Sequence, residues 1–347
     1  MKLIRAFAVT SASLTSDVLE TPPSAYNAGT TYADGNQVSV FSGTNNTTAT
    51  MYESLAGSNT GNTPSSSPSW WKPLGTAYLA YNAGTNYSSG AIVTDTTNHL
   101  LYESLLGSNT GNALTNASWW LEISPSNKWA MFDAKVSTQT TWASPLEFTI
   151  DATGRVDTVA LLNIDAASAN ITVMDGVTEA YNETYSLTST DGITSWFAYF
   201  FEPIERVSDL VVTDIPNVLD PSITVTMTDS DDVVIGHFVC GLSRELGGAQ
   251  YGASVGIADY SRKVQDDFGN WSIVERGFSK RGRFDVWMER EQVDPIHRLL
   301  SQYRATPVLL VGAEDYTSTY IFGLLKDWNI TISYPSHSVM QIEMEGL

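Results

Sequence analysis

The chain has 347 residues, which is too long for one ordinary core. Of these residues 42% are hydrophobic and 11% aromatic, which is enough to form packed cores. Its formal net charge of −20 disfavours a nucleic-acid partner, because an acidic surface repels phosphates. The sequence has no run of 18 apolar residues, and its one cysteine, Cys240, has no second thiol for an internal disulfide. We therefore expect two or three domains, no membrane span and no nucleic-acid partner.

The opening stretch, MKLIRAFAVTSASL, predicts a β-strand rather than a leader peptide, because Thr and Ser interrupt its apolar run. This segment, residues 1–23, ends at the breaker Thr-Pro-Pro. It precedes two repeats but is free to pack with a sandwich further along the chain. The repeats would then be an insertion between strands.

Two repeats are predicted over 24–75 and 76–126. The first contains YESLAGSNTGNTPSSSPSWW and the second YESLLGSNTGNALTNASWW, and both begin with the pattern YNAGT. Each copy alternates short apolar runs with Gly and Asn turns and lacks a helical period. The pattern predicts two small β modules.

Both repeats place large aromatic side chains at matched positions. Adjacent strand residues point to opposite faces, so one Trp of each Trp-Trp pair should pack in the core while the other faces outward or contacts a neighbour. An outward Trp suits the apolar face of a sugar ring, and a purely structural role for both remains the other interpretation. The candidate carbohydrate-binding residues are Tyr26, Tyr52, Trp70, Trp71, Tyr81, Tyr102, Trp119 and Trp120.

Residues 127–243 contain alternating or wholly apolar runs such as VDTVALLNID and SITVTMTD, separated by turn signals. They predict an antiparallel jelly-roll sandwich without helices, with SWFAYFFE as one of the strands. The acidic run at 229–232 is interpreted as a hairpin turn, with a calcium site as the alternative. His99 and His237 are isolated and have no metal-ligand spacing.

Residues 244–347 predict further strands and one helix over 294–305. Asp294 is the expected N-cap, Pro295 the first helical residue, and Thr306-Pro307 the stop signal. The apolar stripe at helical spacing predicts a core-facing side, formed by Ile296, Leu299, Leu300 and Tyr303.

A basic cluster lies in the same region. Residues 244–347 hold 11 Lys+Arg against 14 Asp+Glu, a net of −3, whereas residues 1–243 hold 7 against 24, a net of −17. We interpret the cluster as a solvated or subunit-pairing face. Its candidate assembly contacts are Arg262, Lys263, Arg276, Lys280, Arg281 and Arg283.

One stretch matches a catalytic motif formally. Gly252-Ala253-Ser254-Val255-Gly256 has the form Gly-X-Ser-X-Gly, but no helical stripe follows it, as a nucleophile elbow requires. We therefore expect no enzymatic activity, no catalytic residue, no cofactor and no metal site.

The repeat pattern YNAGT-X-Y, then YESL, NTGN and WW, resembles the small chitin-binding type of carbohydrate-binding module, although the second copy has no Pro after its NTGN turn. NKWAMFDAKVSTQTT with RVDTVALLNID resembles a galactose-binding-like jelly roll. The stretch AQYGASVGIADYSRKVQDDFGNWSIVERGFSKRGRFDV and the C-terminal end are similar to a family of tailed-bacteriophage virion proteins.

This resemblance implies a structural tail component located in the virion, whose partners are other tail proteins. It also implies several copies of the chain, as in a homo-oligomeric ring. Two functions remain open: adhesion of the repeats to a host-surface glycan, or an adaptor role in which the repeats hold a neighbouring subunit or fibre.

Overall fold

The computed structural model describes residues 1–135, 137–189, 195–201, 205–265, 268–314 and 316–347. The fold is mainly β, as predicted, with several antiparallel sheets. Within these residues, no helix is both long and apolar enough to cross a bilayer.

The N-terminal third consists of short strands joined by Gly- and Asn-containing turns. The first segment and the first repeat contain β1 (Lys2–Arg5), β2 (Leu14–Ser16), β3 (Thr31–Tyr32), β4 (Gln37–Ser42), β5 (Thr48–Ser54), β6 (Asn59–Thr60) and β7 (Trp71–Tyr78), with 3-10 turns at Thr44–Asn46 and Pro64–Ser66. The second repeat contains β8 (Ile92–Asp95), β9 (Leu100–Ser104) and β10 (Trp120–Pro125). Strand β7 crosses the boundary expected at residue 75.

The sandwich follows a 3-10 helix at Asn127–Phe132. Its elements are β11 (Thr140–Ala143), β12 (Leu146–Asp151), β13 (Arg155–Val156), β14 (Thr158–Asp165), β15 (Ser168–Asp175), β16 (Thr178–Ser186), β17 (Thr188–Ser189), α1 (Trp196–Phe201), β18 (Glu205–Arg206), β19 (Asp209–Val212), β20 (Val218–Leu219), β21 (Ser222–Thr228) and β22 (Asp232–Gly241).

In its described residues, the C-terminal part adds nine strands, one helix and two 3-10 turns, at Arg290–Gln292 and Thr317–Thr319. Its elements are β23 (Ser243–Glu245), β24 (Gly248–Ala249), β25 (Ser254–Asp259), β26 (Arg262–Gln265), β27 (Trp271–Val274), β28 (Phe278–Glu289), α2 (Val293–Gln302), β29 (Val308–Val311), β30 (Tyr320–Thr331) and β31 (His337–Gly346).

A jelly-roll-like sandwich forms the centre of the molecule. A four-stranded sheet of order β11-β22-β14-β19 faces a five-stranded sheet of order β16-β15-β21-β12-β2. Alternate residues such as Leu161 and Val173 are buried between them, and the Phe148 and Phe238 rings meet edge to face at 5.2 Å. Cys240 lies in this core, where burial raises the pKa of its thiol to about 12.

The N-terminal segment is divided between two sheets. Strand β1 lies between β23 and β29 in the C-terminal sheet, whose order is β23-β1-β29-β30-β31-β28-β24. Strand β2 pairs with β12 in the sandwich. The repeats therefore occupy one long connection that leaves the sandwich after β2 and returns to it at Asn127–Phe132.

Two local predictions are corrected by the structure. The run SWFAYFFE was predicted as a strand, but residues 196–201 form α1, which begins with a hydrogen bond from the Tyr199 backbone N–H to the Ser195 carbonyl at 3.0 Å. Consecutive aromatic residues contain no polar-apolar alternation, so they do not specify a strand.

The predicted C-terminal helix exists, but it is shorter and is capped differently. It runs over Val293–Gln302, so Asp294 and Pro295 are its second and third residues rather than its cap and first residue. Capping belongs to the preceding 3-10 turn, where the Glu289 N–H donates to the Gln292 Oε1 at 3.0 Å. The predicted apolar stripe does face the core, with Ile296 and Leu300 buried.

Candidate carbohydrate-binding surface of the repeats

Each repeat is built around three interlocking aromatic rings. In the first repeat, Tyr26 stacks on Tyr32 at 5.8 Å, and the Trp71 ring stands edge-on to both, at 5.8 and 5.2 Å. The second repeat reproduces the trio with Tyr81, Tyr87 and Trp120 at 6.0, 5.6 and 5.3 Å. A unit of about fifty residues has little other core, so these edge-to-face contacts hold each module together.

The second Trp of each pair is structural. Trp71 and Trp120 are 1% and 2% exposed, and their indole N–H groups donate to the carbonyls of Asn62 and Asn112 at 2.9 and 3.0 Å. Neither indole face is accessible to a ligand, and Tyr102 is also buried. Five of the eight predicted sugar-binding residues remain partly exposed, namely Tyr26, Tyr52, Trp70, Tyr81 and Trp119.

The repeated Ser-Asn-Thr-Gly-Asn turn positions the outer Trp. In the first repeat the buried Asn59 amide donates to the Ser54 hydroxyl at 2.9 Å and to the Trp70 carbonyl at 3.3 Å. The Leu55 N–H donates to the same carbonyl at 2.9 Å. The turn needs left-handed backbone at Gly61, where φ is 76°. The second repeat has the same set of bonds around Asn109, Ser104 and Trp119.

The opening tyrosines differ between the copies. The Tyr81 hydroxyl donates to the Asn112 carbonyl at 2.8 Å, whereas the Tyr26 hydroxyl is buried without a hydrogen-bond partner in the described residues. At the position after the turn, the first repeat has buried Pro64 and the second has partly buried Leu114. The missing Pro is therefore replaced by another apolar side chain in the core of the second module.

Both repeats are attached to the sandwich. Met51, Leu74 and Ala77 of the first repeat are buried in the sandwich core. In the second repeat, the His99 ring stacks on Trp129 with centroids 3.9 Å apart, and its Nδ1 lies 2.8 Å from the Glu20 carboxylate. The sequence did not indicate this contact, because a single His at a hairpin turn carries no pattern.

A second candidate site is a cavity of about 350 Å³ between the sandwich and the C-terminal sheet. It is lined by Asp209, His237, Lys280, Tyr320 and Phe322, among others. Lys280, predicted as an assembly contact, instead forms an ion pair with Asp209 across this boundary. Sequence reasoning missed the pairing because the two residues are 71 positions apart.

His237 is expected to make the protein acid-sensitive. Burial lowers its pKa from 6.5, and Asp133 and Asp209 offset this only in part. His237 in the unfolded chain therefore binds a proton at a higher pH than His237 in the folded protein. The free energy of unfolding is greatest above pH 6.5 and decreases as the pH drops from 6.5 towards the folded-state pKa. Urea titrations between pH 7 and 5.5 should show this loss in the wild type and a smaller one in His237→Gln. The exposed-histidine variant His297→Gln should keep the wild-type slope, and an equally steep slope in His237→Gln would contradict the assignment.

The remaining sequence motifs have plain structural roles. Ser254 begins the exposed strand β25 rather than a strand-to-helix turn, so it does not form a nucleophile elbow. The Asp229 carboxylate is bound by Arg206 at 2.6 Å in the turn between β21 and β22. Burial alone would raise the pKa of Asp229, but hydrogen bonds from Arg206 and Ser230 hold it below its usual value. Within the described ranges, no cluster of three metal-ligating side chains occurs.

No protein-family model, curated protein or solved structure matches the chain.

Proposed function

We propose that this protein is a structural component of a bacteriophage tail whose two repeats bind a glycan on the host surface. The observation that carries the proposal is the second, outer tryptophan in each repeat, Trp70 in the first and Trp119 in the second. Trp71 and Trp120 already fill the two cores, yet each repeat keeps a second, partly exposed Trp in the same hydrogen-bonded frame. A partly exposed indole provides an apolar face for a sugar ring, and neighbouring amides and hydroxyls can bind the sugar's edge.

The architecture supports display of the repeats. They leave and re-enter the sandwich through one connection, and none of their described strands belongs to its two sheets. The sandwich and C-terminal sheet would then form the part built into the tail. Several copies of such a chain would present several repeats at once, and multivalent presentation raises the avidity of weak sugar binding.

An adaptor role is the second candidate, because the second repeat also exposes aliphatic surface. Leu105, Leu106, Leu121 and Ile123 are 40 to 50% exposed. Aliphatic patches suit protein contacts better than sugar hydroxyls. In this role the repeats hold a neighbouring subunit or a fibre and bind no sugar.

Removing both outer indoles is expected to abolish glycan binding. The full chain carrying Trp70→Ala and Trp119→Ala should lose the signal of the wild type on a glycan array while its circular-dichroism spectrum stays unchanged, since neither ring belongs to an aromatic trio. A control with Trp287→Ala and Tyr334→Ala removes two exposed aromatic residues outside the repeats and should bind as the wild type does.

Two results would count against adhesion. One is a wild-type protein that binds no glycan on the array. The other is an assembled particle in which Trp70 and Trp119 are buried against a second protein, which is the arrangement that the adaptor role requires.

A further inference from the structure

The helix α1 presents an exposed patch of aromatic side chains, which we call the aromatic tip (Trp196–Phe201). All five of its aromatic side chains are between 62 and 79% exposed, namely Trp196, Phe197, Tyr199, Phe200 and Phe201. Soluble proteins rarely leave contiguous large apolar side chains in water, and such a patch usually marks a binding surface. The function proposed for the repeats makes no use of this patch.

The aromatic tip lies in the connection between two paired strands. Strand β17 pairs with β18, with Thr188 opposite Arg206, and α1 lies between the two strands in the chain. The base of this hairpin is fixed to the sandwich, because Leu187 is buried in the sandwich core and Nη1 of Arg206 lies 2.6 Å from Oδ2 of Asp229. The aromatic tip is therefore held on an anchored stem.

The aromatic rings cover more than half of the helix circumference. At 3.6 residues per turn, the five rings are spread over an arc of about 200°. Two ring pairs result, in which the centroids of Trp196 and Phe200 are 6.2 Å apart and those of Phe197 and Phe201 are 4.9 Å apart. A helix that docks in a protein groove usually presents an apolar stripe about 100° wide and a polar opposite face, whereas no residue of the aromatic tip is charged. An apolar surface this wide suits a medium that surrounds the helix, as the boundary of a lipid bilayer does.

The composition and length of the aromatic tip fit the boundary of a bilayer rather than its interior. Trp and Tyr combine an apolar ring with a polar N–H or O–H group, and they are enriched where lipid headgroups meet acyl chains. The six residues of α1 form a helix about 9 Å long, far shorter than the roughly 30 Å hydrocarbon core. The aromatic tip is therefore able to enter the headgroup region but not to cross the membrane.

The charges near the aromatic tip in the sequence indicate which kind of lipid it would bind. Residues 156–205 contain eight Asp+Glu and no Lys or Arg. Proteins bind anionic lipids through basic residues, and an acidic segment is repelled by the negative potential of such a surface. We therefore expect the receiving surface to be zwitterionic, as in phosphatidylcholine.

We propose that the aromatic tip binds the interfacial region of a zwitterionic lipid bilayer. The rings of α1 enter the boundary between headgroups and acyl chains, while the acidic sandwich stays in water. The hairpin of β17 and β18 transmits this attachment to the sandwich through Leu187 and Arg206. Lipid binding does not require sugar binding by the repeats, so either proposal can fail without the other.

Co-sedimentation of the full chain with vesicles of pure phosphatidylcholine, which contain no glycan, tests the proposal. The wild type should bind the vesicles with little dependence on salt, because the contact is apolar rather than ionic. The variant with Trp196→Ser, Phe197→Ser and Phe200→Ser should have a partition coefficient lower on the order of a hundredfold or more, since each buried ring contributes about a factor of ten. Replacing part of the lipid by phosphatidylserine should weaken binding of the wild type at low salt.

The matched control replaces three exposed aromatic residues of the C-terminal part, as Tyr251→Ser, Trp287→Ser and Tyr334→Ser, and should bind the vesicles as the wild type does. Both variants should keep the circular-dichroism spectrum of the wild type, because the replaced side chains are exposed. A wild type that stays in solution at every lipid concentration would overturn the proposal and indicate a protein groove as the partner of α1. Equal loss of binding in the control, or stronger binding to vesicles that contain phosphatidylserine, would also overturn it, because the contact would then not depend on the aromatic tip.

Discussion

Replacing Trp71 by alanine is expected to lower the free energy of unfolding by about 3–5 kcal/mol, the usual cost of truncating a buried Trp. The side chain contacts both Tyr26 and Tyr32, and its removal leaves the Asn62 carbonyl without its indole donor. The repeat's own core cluster contains few other large side chains that could compensate. Trp120→Ala should have the same effect on the second repeat, where the arrangement is duplicated.

Hydrogen exchange measured by mass spectrometry would localise the damage. Loss of protection should be concentrated in β4, β5 and β7 for Trp71→Ala and in β8 to β10 for Trp120→Ala. The neighbouring variants Trp70→Ala and Trp119→Ala are the matched controls, because their rings are partly exposed and should cost much less. Equal destabilisation by Trp70→Ala and Trp71→Ala would mean that the core assignment of the pair is wrong.

Replacing Gly323 by alanine is expected to destabilise the C-terminal sheet by about 3 kcal/mol. A Cβ atom at this position would lie 2.1 Å from the Glu345 carbonyl oxygen and 2.6 Å from the Gly346 Cα. Both are backbone atoms of β31, so they cannot move aside as a flexible side chain could. Strand β30 would have to separate from β31 near its start, where Gly323 pairs with both Gly346 and Val308.

The matched control for this substitution is Gly248→Ala in the same sheet. Gly248 lies on β24, and a Cβ there meets no atom within 4 Å. The guanidinium concentration at the midpoint of unfolding should therefore be lower for Gly323→Ala than for Gly248→Ala, by more than the error of the fit. A Gly323→Ala midpoint equal to that of Gly248→Ala would show that β30 and β31 are not as closely paired as described.

The sequence predicts those features of this protein that depend on local periodicity. The apolar run in VDTVALLNID and the alternation along SITVTMTD predict sandwich strands, and β14 and β21 are found there. The two members of each Trp-Trp pair differ in exposure as predicted, but the premise of strand alternation is wrong, because Trp70 lies in the turn before β7 and Trp119 in the turn before β10. The helical stripe at Ile296 and Leu300 predicts which side of α2 faces the core.

Partners that are distant in sequence could not be predicted in the same way. Periodicity indicates which face of β1 is apolar, but the strand's neighbours, β23 and β29, lie some 240 and 300 positions away. Asp209, the ion-pair partner of Lys280, lies 71 positions away in sequence, and Trp129, which stacks on His99, belongs to a different predicted domain. The helix α1 was missed for a different reason, because a run of aromatic residues fits neither period.

The single long connection that contains the repeats has a mechanical consequence. A force applied to the repeats reaches the sandwich along two covalent paths, one through β2 and the other through the 3-10 helix at Asn127–Phe132. The hydrogen bonds of Ser126 and His99 to Glu20 join these two paths close to the sandwich. The load is therefore shared between the two attachments, because the pair of repeats is held at both ends of its connection rather than at one end.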